Sequence, residues 1–331
     1  MMDDSSLHRW EEMLGGLVAL LPAQTGCVLI DGPAEQTRLI ASRLAQKLSA
    51  GTHQVQVTAD PADAWDVAIF LRTAPGQCTG AGAGNDAGQS GERQKRDRRE
   101  REERADIVID LHDARWPVIR RVAAPLAGRG AWYLTETRAF FASRAATWDT
   151  RFGDDLPAYS AAVAESGIRP GGVVIDVGCG TGRALPPLRS AVGPGGAVFA
   201  LDVTPEMLDA ARPASRLAAA ALVLADARAL PFPDGSADAI FAAGLVNHLP
   251  DTVAGLRELA RVTRPGGRLV LFHPSGRAAL AARHGNSVLP DEPLAEGPLR
   301  RSTAASGWTL TAYDDAPHRF FAVAERTPVT D

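Results

Sequence analysis

Three aspartates close three apolar runs: Asp176 in VVIDVGCGTGR, Asp202 in AVFALDVTPEML and Asp226 in VLADARALPF. The first run continues into Gly178, Gly180 and Gly182. Glycines at this spacing permit backbone angles that other residues resist, and they let a ligand approach the main chain. A carboxylate ending the second run can accept hydrogen bonds from both hydroxyls of a ribose, and one ending the third can accept from an adenine amine. Each acid alone would serve as a helix cap or a turn former. Together, in register with a glycine loop, they point to a nucleoside-bearing ligand. Two histidines follow later strands, His248 in VNHLPD and His273 in LVLFHPSG. Imidazole titrates near working pH, so either can take a proton from a reacting group, or serve as a hydrogen-bonded loop residue.

The elements that position these residues are strands alternating with helices. Strands are expected at 172–177, 197–202, 221–225, 237–243, 268–273, 308–313 and 319–324. The first five alternate with helical stretches and the last two are consecutive, which predicts a seven-stranded sheet ending in an antiparallel hairpin. A glycine loop at the carboxyl end of the first strand lies where open α/β sheets bind ligands. A dinucleotide fingerprint, G-x-G-x-x-G/A, fits less well, because from Gly178 it puts Arg183 where a small residue allows close helix–strand packing. A nicotinamide-dependent oxidoreductase is therefore the weaker alternative, beside a cofactor-binding regulator without turnover.

Residues 138–327 resemble a class I S-adenosylmethionine-dependent methyltransferase of the small-molecule type, similar to quinone-biosynthesis methyltransferases. The segments that carry the resemblance are DVGCGTG, LDVTPEML, LADARALPFPDGSADAIFAAGLVNHL and ELARVTRPGGRLVLF. The resemblance implies S-adenosyl-L-methionine as cofactor, with Gly178, Cys179 and Gly180 facing its methionine part and Asp176 and Gly182 also among the cofactor-binding residues. It also implies that Asp202 holds the ribose, that Val203 and Met207 flank the adenine, and that Asp226 and Ala227 sit at the adenine edge. Ala243 and the stretch to His248 would line the sulfonium side, with His248 and His273 as candidate catalytic residues. No metal is expected. Methyl transfer from a sulfonium mainly requires alignment and exclusion of water, so a general base is optional. Trp148 and Tyr159, just before the first strand, are expected to close over the cofactor or pack in the core. The acceptor, oxygen, nitrogen or carbon, is not readable.

The first part of the chain reads as a smaller α/β domain over residues 1–130, leaving 131–331 for the methyltransferase domain. Ser6 is expected to cap a helix through Leu21, and strands are expected at 25–31, 53–58, 65–71 and 105–111. The segment VLIDGPAEQTRLIASRLAQKL, with WDVAIFLRT and RREREERADIVIDLHD, resembles uridine-kinase-like P-loop kinases. Aligned at Gly32, however, the P-loop spacing puts Thr37, Arg38 and Leu39 where Gly, Lys and Ser/Thr belong, and Leu39 cannot coordinate magnesium. The expectation is a retained fold that scaffolds the enzyme, pairs subunits into a homodimer or binds a nucleoside-like ligand. Residues 73–104 are expected to form a mobile loop followed by a solvated, ion-paired helix; an arginine lid over a phosphate is the alternative. Between the domains, residues 138–159 read as an amphipathic helical bridge bearing Phe140, Phe141, Trp148 and Phe152.

Composition agrees with a globular enzyme. The 331 residues are 45% hydrophobic and 22% charged, which supports real cores and excludes wholesale disorder. The 35 basic and 39 acidic residues nearly balance, so no global field favours nucleic acid or anionic lipid. Cys27, Cys78 and Cys179 form no CxxC motif, which argues against a disulfide framework or zinc site and fits a reducing compartment. With an acidic start and no apolar run near the roughly 20 residues of a membrane span, a soluble cytoplasmic protein is expected.

Overall fold

The computed structural model describes residues 3–49, 55–60, 62–73, 87–128, 132–152, 155–283 and 288–328. The first half of the expected 73–104 loop lies outside these residues. The chain divides into two compact units between Phe140 and Phe141.

The first unit contains α1 (Asp4–Leu20), β1 (Cys27–Asp31), α2 (Ala34–Ser49), β2 (Gln56–Thr58), β3 (Val67–Arg72), α3 (Ala87–Arg104), β4 (Ile107–Asp110), β5 (Val118–Val122), α4 (Ala124–Ala127) and the start of α5 (Trp132–Ala145). Its sheet runs β2-β1-β3-β4-β5, parallel except for β5 against β4. β5 was not legible as a strand, because Arg120 and Arg121 interrupt its apolar pattern. The structure gives both arginines local work: Arg120 lies 3.8 Å over the Phe140 ring, and Arg121 donates to the Ala105 carbonyl at 3.0 Å. The cap of α1 is Asp3 rather than Ser6; its carboxylate accepts the Ser6 N–H at 2.8 Å and satisfies an orphan donor of the first turn.

Only Gly32 and Pro33 separate β1 from α2. An eight-residue phosphate loop has no room there, so the layout expected from the kinase resemblance is not found. α3 is the ion-paired helix, with Arg96–Glu100 and Arg99–Glu103 one turn apart, and its Arg101 reaches Asp31 at 2.9 Å.

The second unit holds the end of α5, then α6 (Trp148–Phe152), α7 (Leu156–Glu165), β6 (Val173–Val177), α8 (Leu185–Val192), β7 (Ala197–Asp202), α9 (Pro205–Leu217), β8 (Ala221–Leu224), β9 (Ala237–Ala243), α10 (Thr252–Val262), β10 (Thr263–His273), α11 (Arg277–Arg283), α12 (Glu296–Ala305), β11 (Trp308–Ala316) and β12 (Arg319–Arg326). The sheet order is β11-β12-β10-β9-β6-β7-β8. β6 through β10 are parallel, while β12 runs antiparallel to both β10 and β11. This is the expected seven-stranded mixed sheet, with the last strand inserted between the fifth and sixth. Its two faces are filled separately. Ile175, Val177, Ile240, Leu269 and Leu271 pack on one side against Leu256 and Leu259 of α10, and Val174, Phe241, Val270 and Phe272 on the other against Leu185 and Leu188 of α8. Alternation along each strand therefore fixes which residues reach the carboxyl rim.

The helical bridge resolves into α5, α6 and α7. Phe140 meets Arg120, whereas Phe141 meets Trp148 at 5.7 Å between ring centres, so the two adjacent rings do not share one apolar face. In the first unit, Arg9 and Glu136 form a buried ion pair, each only 2% exposed. Arg9 also donates to the Pro117 carbonyl at 2.9 Å, and Glu136 accepts the Ile119 N–H at 2.6 Å. Arg9 also pairs with Glu12 at 2.7 Å, so replacing Glu136 with Ala removes one of its two carboxylates together with the acceptor of the buried Ile119 N–H, and urea denaturation should show a loss of about 1–3 kcal/mol; no measurable loss would contradict the role given to this pair.

Candidate functional site

The carboxyl rim of β6 and β7 is built by a short polypeptide loop and two acids. Gly178, Gly180 and Gly182 all adopt left-handed backbone angles, with φ of 72°, 53° and 84°. They serve different ends. A Cβ on Gly182 would lie 2.9 Å from Leu185 and 3.2 Å from Ala214, so this glycine lets α8 and α9 close on the loop. A Cβ on Gly180 would meet nothing within 4 Å, which leaves that backbone accessible. The close packing assigned to the third glycine of a dinucleotide motif is thus made by Gly182, one residue before Arg183.

Asp202 organises the loop. Its Oδ2 accepts the Gly180 N–H at 3.0 Å and its Oδ1 accepts the Thr204 N–H at 2.8 Å. A carboxylate has about four acceptor sites, so these two bonds leave capacity for further donors. Burial raises its pKa, against the lowering effect of those backbone bonds.

Asp176 is 1% exposed, and neither of its carboxylate oxygens has a hydrogen-bond partner. Burial, and secondarily the charge of Asp202, pushes its pKa up to about 8. A cationic or hydrogen-donating ligand would relieve an acid held this way by favouring its ionised form. Cys179 is buried with its thiol pushed up by burial, so it is not a poised nucleophile.

The other residues singled out in the sequence are spread along the same rim. Met207 is buried in α9 and Val203 is half-buried beside Asp202. Asp226 binds Arg228 through both oxygens, with the guanidinium Nη2 at 2.6 Å, and Ala227 follows it. Ala243 ends β9, and the turn at Gly244 follows with φ of 69°. His248 ends a short 3₁₀ turn, its ring 5.0 Å from Phe141. His273 ends β10, and the Ser275 N–H lies 3.1 Å from its Nδ1, with the Ser275 carbonyl at 3.0 Å. Tyr159 packs against Phe272 at 5.0 Å and Phe241 at 6.4 Å, and burial raises its phenol.

Sequence reasoning missed Thr181, Arg183, Asp149 and Asp155. Arg183 is buried and donates from Nε to Asp149 Oδ1 at 3.0 Å, from Nη2 to the Asp149 carbonyl at 3.1 Å and from Nη1 to Asp155. Thr181 Oγ1 donates to the same Asp149 oxygen at 2.6 Å. The available signal was the acid-rich WDTRFGDDLP before the first strand, opposite an arginine that looked misplaced. Among the described residues, no group of three or more His, Cys, Asp or Glu is arranged to hold a metal, and no helix is long and apolar enough to cross a membrane.

Comparison with known proteins finds similarity over this region. Residues 175–271 match the model of a methyltransferase domain. An uncharacterized 37.1 kDa protein in transposon TN4556 of Streptomyces fradiae is 41% identical over 107 residues, covering 32% of this chain and 31% of that protein. The ubiquinone/menaquinone biosynthesis C-methyltransferase UbiE of Burkholderia mallei is 35% identical over 114 residues, 33% of this chain and 46% of the relative. The chain thus spans less than half the length of these curated relatives. A solved SAM-dependent methyltransferase from Aquifex aeolicus is 25% identical, covering 56% of this chain and 98% of that one, with a TM-score of 0.49. The second unit has the methyltransferase-domain fold, by its strand order and by the family match over its central strands.

The raised pKa of Asp176 has a signed consequence. A carboxyl whose folded pKa lies above its unfolded value stabilises the fold below the unfolded pKa and loses that contribution as pH rises to the folded pKa. Between about pH 5 and 8 stability should fall by up to about 1.4 kcal/mol per pH unit. Thermal denaturation across that window should show the decline, and Asp176→Asn should flatten it; parallel profiles for the two proteins would refute the assignment.

Proposed function

We propose that the second unit transfers a methyl group from S-adenosyl-L-methionine to a small-molecule acceptor. The observation that carries this reading is the pair of buried acids at the ends of β6 and β7, one with both oxygens unpartnered and the other locking an open glycine loop. That set fits the donor. Asp176 offers two acceptors to a cationic amino-acid part, accessible Gly180 permits close approach, and Asp202 retains acceptor sites for sugar hydroxyls. Val203 and Met207 would supply the apolar flank of the base, with Asp226 and Ala227 at its edge.

When bound, S-adenosyl-L-methionine supplies a methyl on a good leaving thioether, which passes to the acceptor by in-line displacement. The residues of this chain have a limited task, to orient the acceptor and exclude water. The Phe141, Trp148 and His248 rings, in contact along one side of the rim, support the exclusion of water. His273 and His248 are the groups on this rim suited to receive or share the acceptor's proton. The relatives' quinone-biosynthesis name supports a small acceptor over a macromolecule.

The first unit we assign a scaffolding or subunit-pairing role. Its two-residue β1–α2 turn gives the P-loop resemblance no phosphate cradle, and Arg101 already binds Asp31 where a ligand-facing arginine would be needed. The near-neutral charge and sparse cysteines support a cytoplasmic setting without nucleic-acid partners.

Titration calorimetry with S-adenosylhomocysteine tests the site. The full chain should bind it, and Asp202→Ala should weaken binding by about 1–3 kcal/mol through lost charge-assisted hydrogen bonds; equal affinity would remove Asp202 from the site. In a methylation screen against metabolite extracts, His273→Ala should lower turnover about 10²-fold or more while leaving cofactor affinity nearly unchanged. Wild-type turnover in that variant would reduce His273 to a packing role.

A further inference from the structure

We infer that Arg183 is a positioning residue that, with Thr181, locks the segment from Phe141 to Thr150, together with Asp155, across the carboxyl rim of the second sheet, and that tight retention of the methyl donor depends on this lock. The second clause rests on the methyltransferase reading; the first stands on geometry alone.

The lock is a set of side-chain bonds. Arg183 uses Nε, Nη1 and Nη2 on three oxygens of Asp149 and Asp155, and Thr181 shares Asp149 Oδ1. The Arg183 side chain is 8% exposed and that of Asp155 13%, so this arm of the network lies out of water, where charge-assisted bonds hold best, while the Asp149 carboxylate, 63% exposed, reaches it from the surface. The planar fork matters, because a lysine ammonium cannot meet the same three oxygens from one position.

What is locked cannot hold itself. α6 has five residues, too few to be stable as an isolated helix. Its place is set by tertiary contacts, two of which stand out among the described residues. At one, Asp149 is tied to the glycine loop after β6. At the other, Trp148 packs on Phe141, whose ring meets His248 beyond β9. β6 and β9 are neighbours in the sheet. The segment therefore bridges the glycine loop, which holds the accessible backbone of Gly180, and the loop after β9, and it is anchored through Arg183 at its glycine-loop end.

The test uses the full chain and its Arg183→Gln, Arg183→Lys and Thr181→Val variants. Amide hydrogen exchange is read in peptides covering 141–152, 173–177 and 197–202, and S-adenosylhomocysteine affinity and off-rate are measured in parallel. With Arg183→Gln, exchange across 141–152 should quicken at least tenfold while 173–177 and 197–202 stay protected. Affinity should fall about tenfold, mostly through the off-rate. Arg183→Lys should recover less than half of that loss, and Thr181→Val should give the same local pattern at two- to threefold. Unchanged exchange over 141–152 in Arg183→Gln overturns the lock. If Arg183→Gln loses protection throughout the second sheet, Thr181→Val decides: local loss supports the lock, and no change overturns it. Local loss with unchanged off-rate overturns the second clause alone. A wild-type chain that binds no S-adenosylhomocysteine defeats the methyltransferase reading, while the exchange pattern still judges the lock.

Discussion

A carboxyl group sealed inside a sheet with neither oxygen bonded is an expensive thing for a fold to keep. Asp176 is that group, and the surrounding architecture makes sense around it. The strand that carries it is an interior one, flanked by β7 and β9, so its end is enclosed from both sides. Asp202 beside it raises its pKa further rather than relieving it. The neighbouring backbone donor at Gly180 is taken by Asp202 instead. The unrelieved acid is therefore an acceptor held ready for a partner that arrives from solution, and a positively charged methyl donor answers that requirement better than a phosphate does.

The division of labour among the three glycines follows from the same constraint. One must let two helices pack against the loop, and Gly182 does so, with aliphatic atoms closer than a side chain would tolerate. Another must keep main chain open at the rim, and Gly180 does that. Because the tight packing falls on Gly182, the following position is released for a large residue. Arg183 occupies it and turns back to the segment before β6. A feature that weakens a dinucleotide reading of the sequence becomes, in three dimensions, a structural connection of the site.

Much of the second unit was legible from residue order because its strands are short, buried apolar runs separated by helices with clear periodicity. Their ends carry the acids and glycines that chemistry requires, so the rim could be assembled before any coordinates. The connections of Arg183 could not, since they join residues 28 and 34 positions apart through side chains that look like ordinary surface charges. The pairing of Asp226 with Arg228 escaped for the opposite reason: it is so local that it resembles a turn. In the first unit, β5 was hidden by two arginines in its middle, and the kinase-like segment misled because a matching strand and helix do not specify the loop between them. Two residues there, Gly32 and Pro33, decide the matter. A Cβ on Gly32 would come within 2.7 Å of Leu71, so the turn is pressed onto β3 and cannot swell into an anion cradle without moving it.

The most direct examination of the central claim is a crystal structure of the full chain grown with S-adenosylhomocysteine. The account predicts density along the ends of β6 and β7, with an amine against Asp176 and the two sugar hydroxyls against Asp202. Density at that rim for a pyrophosphate, or a ligand bound elsewhere with Asp176 still unpartnered, would contradict it.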